Sequence, residues 1–574
     1  MRSKTVPTLI GNTLLTPPVN EPAGGYVYLL GEPFYKIQQY DAMPPFFMSI
    51  VSGADHWLYI ASTGGLTAGR VDAEHALFPY YTEDKIAENS ENTGVKTILH
   101  VKRGSQTWLW EPFSIRQEGQ YKIERNLYKN IPGTALVFEE INHSLELVLR
   151  YSWRTGDRFG FIKTAWLSNI DHSGPPCDVD VLDGFQNILP ANVSSATQNI
   201  FSCLLDAYKR SEVVEETNLG LYVLNSQLTD LAEPSESLAA NVVFQVGLEP
   251  QHILLSSRQL TNFRFGGSLE TEMEIRGERG AFFVHGSLHL EASQEVRWYL
   301  VADVNQDHAA LARLQDFLKT SLDAKQEAIE QDIDFNKFNL QKKVTSADGI
   351  QVSEKTNASS HHFANVLFNI MRGGVFPKNY LVDKSDLLDY LSTHEHDFPG
   401  VHTEFFNTLP DICNLSDLRS RAAELDDTNL RRLLNTYLPL TFSRRHGDPS
   451  RPWNKFSINI KKEDGSQRLD YAGNWRDIFQ NWEALVYSFP EFVEAAVDMF
   501  LCATTADGYN PYRICRNGID WEVPEAGNSW ANIGYWSDHQ IIYLLKLMEA
   551  SERFHPGELR KQLNTPVLSY ANVP

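Results

Sequence analysis

The spacing of apolar residues changes once along this chain of 574 residues, and that change limits what the chain can fold into. From about Tyr26 to Val304, short segments alternate apolar and polar residues, with Gly, Pro, Asn and Asp between them. From about Asp307 onward, apolar residues recur every three or four positions. Period two is typical of half-buried strands, and the longer period is typical of amphipathic helices. The sequence therefore predicts a β-rich first half and a helical second half, which several helices before residue 250 would contradict.

This pattern predicts a multidomain α and β protein with three regions. Many short β segments joined by turn residues indicate a large antiparallel β-sandwich, which we expect at 1–304. A linker helix region is expected at 305–345, because charged residues separate its regularly spaced apolar positions. Residues 346–574 are expected to form a helical domain whose suggestive polar residues lie in the loops between helices. Such loops at one end of a helical scaffold favour a toroid of helix pairs.

Composition excludes several classes of protein. Aspartate and glutamate number 73 against 51 lysines and arginines, a net charge of −22, which argues against nucleic acid or an anionic membrane as partner. Five cysteines without a CxxC pair favour reduced thiols in the cytoplasm over a disulfide framework or a zinc site. We also expect no signal peptide and no membrane span, because no apolar run reaches about 18 residues.

The stretch from Arg468 to Glu549 is unusually rich in tryptophan, carboxylates and arginine. Aromatic rings can stack on the apolar face of a sugar, while carboxylates handle its hydroxyls and protons. The alternative is a helical core with large tryptophans and solvated acids, since aromatic stripes at helical spacing are usually core. The candidate sugar-contacting residues are Trp475, Arg476, Trp482, Trp521, Trp536, Arg513 and Arg516, and the candidate acids are Asp477, Glu522, Glu525 and Asp538.

Asp477 has two interpretations. It precedes an amphipathic segment, so it could be a helix N-cap with Gln480 completing a capping box. It could instead be a carboxylic acid whose pKa is raised in an aromatic pocket, so that it protonates a leaving oxygen. A cap accepts hydrogen bonds from helix amides, whereas an acid catalyst needs the opposite environment. Both interpretations stay open at this point.

Three other segments carry polar residues in suggestive patterns. Arg444, Arg445 and His446 form a cationic patch that is either a solvated loop or a clamp for an anion or a substrate oxygen. The HEHD sequence at 394–397 lacks HExxH spacing, so we expect no metal. The segment from Asp183 to Pro190 has the residues of a turn between strands.

Two of these motifs resemble those of the inverting disaccharide phosphorylases, such as cellobiose and chitobiose phosphorylase, and related (α/α)6-toroid glycoside hydrolases. The family has an Asp-Gly-x-Gln-Asn-x-x-Pro turn in its sandwich, like Asp183 to Pro190 here. Its acid lies in an Asp-Trp-Asn-Asp loop, which is similar to Asn474-Trp475-Arg476-Asp477. The resemblance implies a sandwich, a linker helix and an (α/α)6 toroid in that order. It also implies that Asp477 is the general acid and that Trp475 contacts sugar.

The resemblance implies inverting cleavage of a glycosidic bond in a small oligosaccharide. If phosphate is the attacking co-substrate, no base or other cofactor is needed, and Arg444, Arg445, His446, Arg513 or Arg516 could hold it. If water attacks, a base about 6.5–9.5 Å from Asp477 is required, with Glu522, Glu525 and Asp538 as candidates. The alternative is a carbohydrate-binding or assembly protein without turnover. Because the helical half is short for a toroid, we expect a homodimer or a missing C-terminal portion that completes it.

Overall fold

The computed structural model describes residues 7–15, 21–226, 238–395, 397–445, 447–451, 456–523, 525–527 and 539–572. The chain separates into two compact units. The first, here called the β-rich unit, comprises residues 1–340 with 448–453, and the second, the helical unit, comprises residues 341–447 with 454–574. The predicted linker region of 305–345 thus falls almost wholly within the β-rich unit.

The strands of the β-rich unit are short and lie close together in the chain. They are β1 Leu9–Ile10, β2 Thr13–Leu14, β3 Ala23–Leu29, β4 Glu32–Gln38, β5 Phe47–Ile50, β6 His56–Ala61, β7 Leu66–Arg70, β8 Ala76–Phe78, β9 Gly94–Arg103, β10 Gln106–Trp110, β11 Ile123–Asn130, β12 Leu136–Asn142, β13 Leu147–Gly156, β14 Gly160–Asn169, β15 Cys177–Ile188, β16 Lys209–Val214, β17 Leu219–Leu224, β18 Ala239–Val246, β19 His252–Leu254, β20 Glu274–Arg276, β21 Gly280–Leu290 and β22 Glu295–Asp307.

Three antiparallel sheets of this unit share one core. Among the described residues, the largest sheet has eleven strands in the order β20-β16-β17-β18-β22-β14-β13-β12-β11-β4-β3. The second has the order β10-β9-β15-β21-β19, and the third runs β5-β6-β7-β8. Trp153 of the largest sheet, Phe185 of the second and Leu58 of the third all belong to one buried cluster. The predicted β-rich first half with antiparallel sheets packed on each other is confirmed.

Helices in this unit are few before residue 307. Those before it are α1 Glu83–Glu88, α2 Ser195–Asp206 and α3 Leu260–Arg264, with 3-10 turns at Tyr40–Ala42 and Ile115–Gln117. Two more helices follow, α4 His308–Leu318 and α5 Leu322–Ser346, and α5 ends within the helical unit. Asp307 ends β22 and caps α4, its side chain accepting a hydrogen bond from the Ala310 amide. The switch from strand to helix therefore occurs where the apolar period changes. Phe317 of α4 and Ile329 of α5 are buried against the largest sheet, so the expected linker covers that sheet.

Asp183 lies inside a strand, which corrects the turn predicted from its motif. It belongs to β15, its carboxylate lies 2.5 Å from Lys163 Nζ and it accepts a hydrogen bond from Trp298 Nε1 at 2.6 Å. The register shifts only between Gln186 and Ile188, where Asn187 has a φ of 57°. Asparagine tolerates this left-handed conformation, so the turn-like residues produce a β-bulge.

The helical unit carries few strands. Its helices are α6 Thr356–Gly373, α7 Lys384–His394, α8 Phe398–Val401, α9 Thr403–Asn407, α10 Leu415–Ala423, α11 Thr428–Asn435, α12 Trp475–Val486, α13 Val493–Ala503, α14 Gln540–Phe554 and α15 Glu558–Leu563, with a 3-10 turn at Pro490–Phe492. Its strands are β23 Leu381–Asp383, β24 Ile412–Asn414, β25 Ala472–Asn474, β26 Arg513–Cys515 and β27 Gly518–Asp520. Helix α12 packs against α6 and α14. No helix within the described ranges is long and apolar enough to cross a membrane.

Candidate functional site

A small sheet positions the start of α12. Strands β25, β26 and β27 pair in that order, with Asn474 opposite Arg513 and Arg513 opposite Asp520. The Trp475 amide donates a hydrogen bond to the Tyr512 carbonyl at 3.0 Å, and the Tyr512 amide donates to the Asp520 carbonyl at 2.9 Å. These backbone bonds hold Tyr512 beside the first turn of α12, although it lies more than 35 positions after Trp475 in the chain.

Asp477 is the third residue of α12, and Asn474 occupies the N-cap position. The interpretation of Asp477 as the N-cap is therefore wrong. An acid in the first turn is favoured by the positive end of the helix dipole, which explains its position without a capping hydrogen bond. The side chain of Asp477 is 44% exposed, and its Oδ1 lies 3.8 Å from Nε2 of His539. A half-exposed carboxyl at the start of a helix can meet a substrate.

Two cations lie beside Tyr512. Arg445 Nη2 donates a hydrogen bond to the Tyr512 hydroxyl at 3.1 Å. Arg513 Nη1 lies 3.5 Å from Asp520 Oδ2, in a pair whose side chains are 29% and 55% exposed. Arginine can bind an oxyanion through two parallel N–H groups, so this part of the surface can hold a phosphate or a carboxylate. The other predicted cations differ: Arg476 is exposed, and Arg444 lies 4.9 Å from the centre of the Phe442 ring.

Trp521 follows β27 and is half-buried. Its ring stacks on Tyr509, with the ring centres 5.6 Å apart and the planes 19° from parallel. A pair stacked in this way fixes the indole in one orientation. Of the candidate bases nearby in sequence, Glu522 is half-buried and Glu525 is exposed.

Trp475 and Trp482 were expected to contact sugar, and the structure corrects this. Trp475 has 0% exposure and donates its indole N–H to Asn510 Oδ1 at 3.1 Å. Trp482 has 2% exposure and donates to the Gly373 carbonyl at 2.9 Å. Both rings contact Phe479 in the core of the helical unit. Neither ring has a free face. Both tryptophans are therefore core residues, as the alternative interpretation of the tryptophan-rich stretch had it.

Arg516 was a candidate phosphate ligand, and the structure corrects this too. The residue is 8% exposed, and Nη2 lies 2.9 Å from Asp386 Oδ1. Nη1 donates a hydrogen bond to the Leu469 carbonyl at 2.7 Å. Because its N–H groups are committed within the protein, Arg516 ties α7 to the loop before β25.

Three predicted site residues are not described by the structure, and three residues near the site were not predicted. His446, Trp536 and Asp538 lie outside the described residues. Sequence reasoning missed His539, Tyr509 and Tyr512, although all three lie in the tryptophan-rich stretch from Arg468 to Glu549. Within the described ranges, no group of three or more His, Cys, Asp or Glu residues could hold a metal.

Residues 376–439 match the model of glycoside hydrolase family 149 insertion domain 1. The matched segment contains β23, β24 and helices α7 to α11. The match lies apart from the two motifs on which the resemblance rested, and it supports the resemblance to glycoside hydrolases.

Solved structures show weaker likeness. A bacterial glucoamylase complexed with acarbose is 9% identical over 91% of this chain and 67% of its own, with a TM-score of 0.33. A candidate kojibiose phosphorylase from the human microbiome is 8% identical over 85% of this chain and 46% of its own, with a TM-score of 0.23. A polysaccharide lyase is 12% identical over 47% of this chain and 34% of its own, also with a TM-score of 0.23. This chain thus spans less than half the length of the last two. No curated protein matches it.

Proposed function

We propose that this chain belongs to a carbohydrate-active enzyme that cleaves a glycosidic bond of a small oligosaccharide with inversion. The observation that carries the proposal is the position of Asp477, a half-exposed carboxyl at the start of α12 beside His539. The match of 376–439 to a glycoside hydrolase insertion domain supports it. We further propose that the remaining helices belong to an (α/α)6-type toroid, into which residues 376–439 are inserted.

Asp477 is the proposed general acid. Its carboxyl proton passes to the glycosidic oxygen as the bond between that oxygen and the anomeric carbon breaks. The leaving sugar departs with that proton on its new hydroxyl group. The nucleophile attacks the anomeric carbon from the opposite face, so the configuration of that carbon is inverted.

Phosphate is the nucleophile that we favour. Arg445 donates a hydrogen bond to the Tyr512 hydroxyl, and Arg513 is the next residue in the chain. The Tyr512 carbonyl accepts a hydrogen bond from Trp475 at the start of α12. Two guanidinium groups at Tyr512 suit an oxyanion, which then needs no catalytic base. The new bond between a phosphate oxygen and the anomeric carbon gives a sugar 1-phosphate. For hydrolysis, we favour Glu522 of the two described candidate bases, because it is half-buried whereas Glu525 is exposed.

Trp521 is the proposed contact for the sugar ring. Because Trp521 stacks on Tyr509, its indole is held in one orientation. Only part of the Trp521 surface is buried. The apolar face of a pyranose can pack on such a ring. This assigns to Trp521 the role that the buried Trp475 and Trp482 cannot perform.

The test is incubation with a panel of gluco-disaccharides, with and without inorganic phosphate. Phosphate-dependent release of sugar 1-phosphate, with inverted anomeric configuration by NMR, is the expected result. Free sugar released without phosphate would instead establish hydrolysis. Saturable sugar binding without turnover in either condition would favour a non-catalytic carbohydrate-binding protein and would overturn the proposal.

A further inference from the structure

A cavity of about 280 Å³ lies in the β-rich unit, between α4 and the strands β18 and β22. Val242, Phe244 and Leu314 give it apolar walls. Its polar lining residues are Arg158, Asp303, Gln306 and Arg313. The volume is just below the range of pockets that bind drug-sized ligands, about 300–1,000 Å³, so it suits a molecule of monosaccharide size.

Arg158 is held in place by aromatic rings. Its guanidinium carbon lies 4.7 Å from the centre of the Phe159 ring and 5.2 Å from that of Phe317. Stacking of this kind fixes the guanidinium by its faces and leaves the N–H groups in its plane available. Those in-plane groups are the ones that bind a phosphate or carboxylate. Arg158 is therefore preorganised for an oxyanion.

Arg158 and Arg313 are both exposed, and no carboxylate among the described residues forms an ion pair with either. That is unusual in a chain with 73 acidic and 51 basic residues, where surface arginines have many possible partners. The mouth of the cavity thus carries two available cations, which favours an anionic ligand.

The acid in the cavity, Asp303, is already bonded within the protein to Arg70, a cation that it shares with Asp55 and Asp157. Asp303 is 5% exposed, and Oδ1 lies 3.4 Å from Nε of Arg70. It also accepts hydrogen bonds from the Val304 amide at 2.9 Å and from Gln306 Nε2 at 3.1 Å. Gln306 Nε2 donates as well to the Val304 carbonyl at 2.9 Å, so its Oε1 remains to accept a bond from a ligand hydroxyl.

From these features we infer that the cavity binds a small sugar phosphate. The phosphate would bind Arg158 and Arg313, a hydroxyl would donate to Gln306 Oε1, and the C–H face of the ring would pack on Phe244 and Leu314. The choice of a sugar phosphate rests on the proposed function, because phosphorolysis releases a sugar 1-phosphate. The site lies in the β-rich unit, and none of its residues takes part in the proposed cleavage.

The test uses calorimetry on the full chain, with glucose 1-phosphate, glucose and inorganic phosphate as separate probes. Arg313→Gln is the main variant, because Arg313 is exposed on α4 and the substitution leaves the core untouched. Arg158→Gln is the second, and Arg276→Gln is the control for loss of one exposed arginine in the same unit. Thermal unfolding of each variant checks that it folds.

We expect glucose 1-phosphate to bind at least about ten-fold more weakly to Arg313→Gln and Arg158→Gln than to wild type and Arg276→Gln, as for a lost hydrogen bond to a charged group. Unchanged affinity in folded Arg313→Gln and Arg158→Gln would overturn the inference. Glucose or phosphate binding as tightly as glucose 1-phosphate would also overturn it. If the disaccharide panel shows no turnover while Arg313-dependent binding persists, only the proposed cleavage fails, so the two failures are distinguishable.

Discussion

His539 Nε2 lies 3.8 Å from Oδ1 of Asp477, so the residue that precedes α14 contacts the first turn of α12. This contact fixes the acid between two helix starts. Asp477→Asn should remove nearly all turnover of an unactivated glycoside while sugar binding persists, because an amide cannot deliver a proton. General acid catalysis contributes about 10²–10⁴-fold, and the loss should lie in that range. Steady-state kinetics and calorimetry measure the two effects.

The chain offers a matched control for that substitution. Asp417 is also the third residue of its helix, α10, and an asparagine, Asn414, also occupies the N-cap position there. Asp417→Asn should therefore cost the same dipole interaction, about 0.3–1 kcal/mol, and leave turnover unchanged. If Asp477→Asn and Asp417→Asn have equal activities, Asp477 is not the acid.

Trp475 and Trp521 should respond oppositely to truncation. Trp475→Ala removes a fully buried indole and should lower the free energy of unfolding by about 3–5 kcal/mol. Trp521→Ala should leave stability nearly unchanged and raise KM for the sugar. Urea unfolding and kinetics on both variants provide the comparison. Normal stability with lost sugar binding in Trp475→Ala would restore the interpretation that the structure corrects.

Arg516 and Arg513 make a second contrasting pair. Arg516→Ala leaves Asp386, whose side chain is 16% exposed, without its cation, which should cost up to about 3–5 kcal/mol of stability. Arg513→Ala breaks a more exposed pair worth about 0–1 kcal/mol and should raise KM for phosphate. A raised phosphate KM in a stable Arg516→Ala variant would contradict this assignment.

The helical unit should lose stability as pH rises toward neutrality. Burial, and then the charge of Glu494, raise the pKa of Asp498 from 3.8 to about 7 in the fold, although Arg419 opposes this. A raised pKa means that the fold binds the proton more tightly than the unfolded chain does. The stabilisation is therefore complete below about pH 4 and is lost as pH rises to about 7, at up to about 1.4 kcal/mol per pH unit.

Asp498→Asn should remove that dependence, because an amide does not titrate. Urea unfolding of wild type and variant at pH 5, 6, 7 and 8 measures it. Asp417→Asn again serves as the control, since it changes an exposed acid in the same unit. Parallel stability curves for wild type and Asp498→Asn would show that Asp498 does not titrate in this range.

The features predicted best from the sequence were those set by neighbouring residues, such as the type of secondary structure. The strand-to-helix switch at Asp307 was located within a few residues, because apolar period and capping are properties of neighbouring positions. Of the two interpretations of Asp477, the N-cap was wrong by three residues, since Asn474 and Asp477 are both preferred caps.

Burial of single residues could not be predicted, because it depends on distant partners. Arg516 meets Asp386, 130 positions away in the chain, so it looked like a free cation. Trp475 and Trp521 are both tryptophans near carboxylates, and nothing local separates the one packed on Phe500 from the one stacked on Tyr509. The Asp183 segment contains residues that are common both in turns and in β-bulges, so its sequence did not distinguish the two.

The hairpin from Arg513 to Asp520 carries a cation, a carboxylate and the approach to Trp521 in one contiguous segment. The carboxyl of Asp477, by contrast, belongs to a separate helix that the hairpin only borders. Under the proposed function, replacing this segment should change which sugar or anion is accepted while Asp477 keeps its place. Segment swaps among relatives are a direct way to redesign specificity without rebuilding the scaffold.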